Sequence, residues 1–156
     1  MKAKSEVLDV LSRMLEEELL ALNQYMLHAE MQENWGYLRL AKEIRKLSIV
    51  EMKHAEALIE RILFLEGMPN LSDFPKLHIG KDVKQQLQND LALESRAVAA
   101  YNMAIAALRK AGDQGSAELL KKLLLEEEAH EDFLDTQLGI IKDIGLEKYL
   151  LEQTKG

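Results

Sequence analysis

Six side chains of this sequence have the types and spacing to hold metal ions: Glu18, Glu51, His54, Glu94, Glu127 and His130. Glu51-x-x-His54 and Glu127-x-x-His130 share one internal spacing, and Glu18 and Glu94 each stand 33 residues before the glutamate of one of these pairs. The two triplets superimpose with a shift of 76. On a helix, positions i and i+3 share a face, so the Glu and His of each pair can ligate together. Four ionised carboxylates are neutralised only if two divalent cations bind among them. Mixed carboxylate and imidazole donors suit iron or manganese better than magnesium or calcium, with zinc also possible. The chain has no cysteine, which excludes disulfides, thiolate catalysis, zinc knuckles and iron–sulfur ligation.

The surroundings make these six unusual. Glu18 interrupts an apolar stripe between Leu15 and Leu22, and Glu51 and His54 interrupt one between Leu47 and Leu58. Glu94 lies between Leu87 and Ala97, and Glu127 and His130 between Leu123 and Leu134. A carboxylate in a core needs a partner, because desolvating it costs several kcal/mol, roughly. Glutamate runs such as 16–18 and 126–128 are usually solvated faces, and Glu16, Glu17, Glu126 and Glu128 read that way. A purely structural bundle leaves the six inward groups unexplained.

The elements that must position them are helices. Apolar residues recur at spacings of 3 and 4 through segments 5–34, 37–66, 82–111 and 116–144, with a short fifth helix over 146–153. Ser5 reads as the N-cap of the first segment, and Gly67 with Pro69 as the stop of the second. The links at Trp35–Gly36 and Gly112–Gly115 are short enough to force antiparallel neighbours. Each Glu pair is then level across its hairpin. The link from Gly67 to Lys81 reaches about 50 Å when extended, and a thirty-residue helix is about 45 Å long. It can therefore cross the whole bundle and start the third segment parallel to the second. At 156 residues the chain reads as a single all-α domain spanning 1–156. The net charge of −7 argues against nucleic acid. The opening MKAKSEVLDV has no apolar signal-peptide core, and no stretch is apolar enough to span a membrane, so a cytoplasmic protein is expected.

The stretches LNQYMLHAEMQENWG, SIVEMKHAE, ERILFLEGMPNL, DLALE and EEEAHEDFLDTQL resemble bacterioferritin, and the resemblance runs along essentially the whole chain. It implies a ferritin-like four-helix bundle with a long crossover. It implies a hollow homo-oligomeric cage of about 24 subunits that stores an iron mineral. It implies that the six residues form a di-iron ferroxidase centre, bridged by Glu51 and Glu127, which oxidises Fe(II) with O2 or H2O2. Tyr25 matches a tyrosine beside that centre, and Met52 a methionine that shares haem b with a second copy across a two-fold interface, where Leu19, Asn23 and Met26 would be neighbours. A small ferredoxin is the implied partner for iron release. His28 has no role beyond packing or surface polarity in this reading, and His78 is expected to be exposed.

One departure stands out. Some family members carry a His and an acid on the inner wall where this chain has Lys46 and Val50. The centre acting as a pore, with His130 as a mobile gate, then becomes the expected route for iron. The rival readings are a haem-free ferritin, a soluble di-iron oxygenase or peroxidase, and a DNA-protecting mini-ferritin. The absence of cysteine for an electron-transfer site counts against the second. The complete ligand set within one chain, the fifth helix and the lack of a basic tail count against the third.

Overall fold

The computed structural model of the protein describes residues 2–156. It contains α1 (Ser5–Asn34), α2 (Leu38–Phe64), α3 (Val83–Lys110), α4 (Gln114–Ile144) and the short α5 (Leu146–Gln153). This is the all-helical bundle the apolar periodicity requires, with a fifth helix at its end. Among the described residues, no helix is long and apolar enough to cross a membrane.

Side-chain pairs give the directions of the helices. Between α1 and α3, Tyr25 meets Glu94, His28 meets Asp90 and Gln32 meets Gln86. One number falls as the other rises, so these helices are antiparallel. Short turns make α1–α2 and α3–α4 antiparallel as well, which leaves α2 and α3 parallel, joined by the long crossover. Apolar side chains form two buried clusters. One gathers Leu11, Leu15, Leu58, Ile62, Leu108 and Leu120; the other gathers Ala29, Leu40, Ile44, Leu87, Leu134 and Tyr149.

Helix ends follow local chemistry, with some departures from the pattern expected of the sequence. Ser5 is not the N-cap: Lys4 holds that position with extended backbone and no side-chain cap. Tertiary contacts fix this start instead, because Ala3 N–H donates to Leu65 O and Lys4 Nζ to Ala111 O. The second helix begins one residue later than expected, and the third is flanked by Asp82 and Ala111 as caps, with Asp82 Oδ1 accepting from Gln85 N–H. The fourth starts two residues early because Asp113 caps it, accepting from Ser116 N–H at 2.9 Å.

Three helices end in paired bonds in which one residue turns left-handed. Gly36 and Gly112 take that place after α1 and α3, with φ of +91° and +83°. After α2 the left-handed residue is Glu66, at φ +63°, and not the expected glycine. Gly67 follows it and donates to Ile62 O. A Cβ on Gly67 would lie 2.8 Å from Leu8 Cδ2, so this glycine serves close packing against α1.

Candidate metal centre

The sequence-singled six come together between the two apolar clusters, one or two from each long helix, and all are buried. Two groups of potential donors form, each with its atoms within 4.8 Å of one another: Glu18, Glu51, His54 and Glu127, and Glu51, Glu94, Glu127 and His130. Glu51 and Glu127 belong to both. Two adjoining positions therefore share two carboxylates, and each adds one further Glu and one His. His54 Nδ1 lies 2.8 Å from Glu127 Oε1, 3.4 Å from Glu18 Oε2 and 3.6 Å from Glu51 Oε2. His130 Nδ1 lies 2.8 Å from Glu51 Oε1 and 3.5 Å from Glu94 Oε1.

The donor set fits two cations. Among the described residues, seven buried side-chain N or O atoms make no well-aligned hydrogen bond, and five of them belong to this cluster: Oε2 of Glu18, Glu51 and Glu94, and Oε1 of Glu127 and Nδ1 of His54, which face each other at 2.8 Å without bonding alignment. Leaving buried acceptors unpaired is costly, and one or two cations would satisfy all five together.

Electrostatics agree. Burial, then the charge of Glu51, pushes the Glu18 carboxyl well above its usual range. Burial and the neighbouring Glu127 do the same to Glu94. Glu127 is pushed up to about 8 by burial and by Glu18. Burial by itself would lower both imidazoles, but the carboxylates outweigh it, Glu127 foremost at His54 and Glu94 at His130, and both are raised. Without cations, the cluster therefore binds protons more readily than isolated carboxyls and imidazoles do.

Further residues orient the donors. Tyr25 is fully buried and donates to Glu94 Oε1 at 2.5 Å; its ring stands edge-on to His130, with centroids 6.5 Å apart. Glu126, read from the sequence as a solvated residue, is exposed but lies with Oε2 2.9 Å from His54 Nε2. With Glu126 accepting the Nε2 proton, Nδ1 is left to face the cluster. The position related to Glu126 by the 76-residue shift is Val50, which offers His130 no such acceptor. Tyr101 was not singled out in the sequence, yet its hydroxyl donates to Glu18 Oε1. It stands 76 residues after Tyr25, so the shift that pairs the ligands could have found it.

Other residues lie apart. Met52 is on the outer flank of α2, 42% exposed, with Met26 and Ile49 also exposed. Leu19 is buried, and Asn23 donates to its carbonyl. Lys46 is exposed and pairs with Glu43. His78 is exposed as expected, but its backbone N–H donates to Gln24. His28 does more than pack: it is fully buried, with Nδ1 2.9 Å from Asp90 Oδ1 and Nε2 accepting from Gly80 N–H. Gln24 also donates to Asp90, so α1 holds both the crossover and α3.

A bundle of this topology, with two carboxylate–imidazole groups sharing two glutamates at its centre, defines a ferritin-like protein with a dinuclear-type site. Residues 8–144 match the ferritin family, described as a ferritin-like domain. The chain is 46% identical over 149 residues to a bacterioferritin of Brucella melitensis biotype 1, covering 96% of this chain and 92% of that protein. It is 42% identical over 149 residues to a bacterioferritin of Mycobacterium leprae, covering 96% and 94%, and 40% identical over 151 residues to one of Rhodobacter capsulatus, covering 97% and 94%. The chain belongs to the bacterioferritin family.

Proposed function

We infer that this chain is an iron-storage ferroxidase, one functional unit over residues 1–156 that oxidises Fe(II) to Fe(III) and keeps the product as a mineral inside a cage. The observation that carries this reading is the buried cluster, in which Glu51 and Glu127 are common to two donor groups. Fe(II) is the substrate. Two Fe(II) ions bound side by side give up two electrons together, reducing O2 to H2O2 or H2O2 to two waters, with two protons consumed in either case. The chain's own part is to gather the ions, to release the protons held by Glu18, Glu94 and Glu127 as they bind, and to favour Fe(III) with anionic oxygen donors. Glu51 and Glu127 bridge; Glu18 with His54, and Glu94 with His130, complete the two positions, and Tyr25 steadies Glu94.

Replacing Glu51 or Glu127 with Ala is expected to abolish fast Fe(II) oxidation, followed by stopped-flow absorbance, while electron microscopy still finds assembled cages. Unchanged rates in both variants would defeat the assignment.

The wider assignment rests on family membership. The cage has about 24 copies of the chain, works in the cytoplasm, and binds haem b through Met52 and its counterpart in a second copy. Exposed Met52, Met26 and Ile49 give that flank a soft thioether donor among apolar side chains, which suits haem. Haem supplies an electron route for iron release, with a small ferredoxin as the donor. For iron transfer inward, the asymmetry between Glu126 and Val50 supports His130 as the moving side: His54 is tied at Nε2 and His130 is not. Crystals soaked to increasing Fe(II) occupancy should show His130 in two positions and His54 in one; a fixed His130 throughout would count against the gate.

A further inference from the structure

We propose that Tyr101 is a positioning residue of the dinuclear centre, equal in standing to Tyr25 and acting on the opposite cation position through Glu18. The proposal rests on the ferroxidase reading and deepens it. Tyr101 is fully buried beside the apolar cluster of Leu15, Leu58 and Leu108. Phenylalanine would fill the same space there without burying a hydroxyl, and a buried hydroxyl is tolerated only when it is hydrogen-bonded. Its bond goes to Glu18 Oε1. Tyr25 bonds Glu94 Oε1 in the same way, from the other pair of helices.

The hydrogen bonding of the two glutamates is alike. Each has Oε1 engaged by a tyrosine from the other hairpin, and each has Oε2 buried and without a hydrogen bond; the histidines approach differently, with His54 Nδ1 3.4 Å from Glu18 Oε2 and His130 Nδ1 3.5 Å from Glu94 Oε1. Each tyrosine thus holds back one oxygen and presents the other, which favours one-oxygen ligation at both positions. With the glutamate of each position held in the same way, both positions are prepared for a cation and can fill together. A two-electron reduction of the oxidant needs both ions present, so the second tyrosine matters to the reaction without touching the reacting atoms.

The test uses the assembled protein and Co(II), which reports its coordination by visible absorption and does not require turnover. The wild type is expected to take two Co(II) per subunit. Y101F should weaken one of the two by about 10–100-fold, the usual effect of losing a hydrogen bond to a ligand. Y25F should weaken the other, and the retained ions are told apart by their spectra because His54, held at Nε2 by Glu126, serves one position and His130, without such an acceptor, serves the other. In Fe(II) oxidation, Y101F should raise the Fe(II) concentration needed for half-maximal rate more than it lowers the maximal rate. The idea fails if Y101F binds both Co(II) ions with wild-type affinity and spectrum. It also fails if both ions weaken equally alongside a lowered melting temperature of the metal-free protein, which would mark a packing residue. Failure of the wild type to bind two Co(II) at all would instead bring down the metal-centre reading and this inference with it.

Discussion

Glu127 shows how one side chain links the centre to the stability of the whole protein. Its carboxyl, ordinarily at 4.5, is pushed up to about 8 by burial and by Glu18. Without cations, the folded chain then holds this proton more tightly than the unfolded chain does. Across the window from about pH 4.5 to about 8, folding binds more protons than unfolding, so stability is fully present at the acid end and declines as pH rises. The raised imidazoles of His54 and His130 act with the same sign, and so do the raised carboxyls of Glu18 and Glu94. The metal-free protein should therefore melt at progressively lower temperature from pH 5 to pH 8, whereas Zn(II) or Co(II) should flatten the slope by replacing the protons. Calorimetry at several pH values distinguishes the two, and a flat metal-free profile would contradict the account. The six clustered residues were legible in the sequence because their spacing repeats. Glu126 and Tyr101 were not singled out: one sits in a glutamate run and the other in an apolar stripe, and only three-dimensional placement gives each its histidine or carboxylate partner.

At the scale of the helix and its connections, the crossover is held by buried polar groups. His28 and Gln24 of α1 bind Asp90 of α3 and accept from the backbone of Gly80 and His78 in the long link. Asp90 stands one turn before Glu94, so this network sets the height at which α3 delivers its ligand. Gly80 has no room for a side chain: a Cβ there would lie 2.4 Å from the backbone N of Gln86. Gly80→Ala should cost about 1–3 kcal/mol, the usual range for overpacking, read as a lowered melting temperature. It should also weaken the cation position of Glu94 more than that of Glu18, read by Co(II) titration; equal effects would show that the link does not set the register of α3. Helix existence and direction were readable from period and link length. The ends were less so, because Lys4, Glu66 and Asp113 take their places through contacts made across the bundle or by capping geometry. The role of His28 was hidden for the same reason: its partner lies 62 residues away.

For the molecule as a whole, the exposed flank of Met26, Ile49 and Met52 is where copies and haem would meet. Met52→Ala should remove the haem absorption band from the purified protein, checked by its visible spectrum alongside electron microscopy of the cage; a band of unchanged intensity would assign haem elsewhere. The helical architecture was fully legible, since two short turns and one long link admit few packings. The assembly was not, because nothing within one chain fixes how many copies close a shell. The two apolar clusters carry a last implication. They grip the bundle at either end, while the stretch between them is charged and poorly satisfied until cations arrive. Apolar packing is thus concentrated at the poles, and the waist depends on what its polar groups bind. A local loosening there can admit or discharge ions while the hairpins keep their alignment, so loading and emptying need not risk the integrity of the shell.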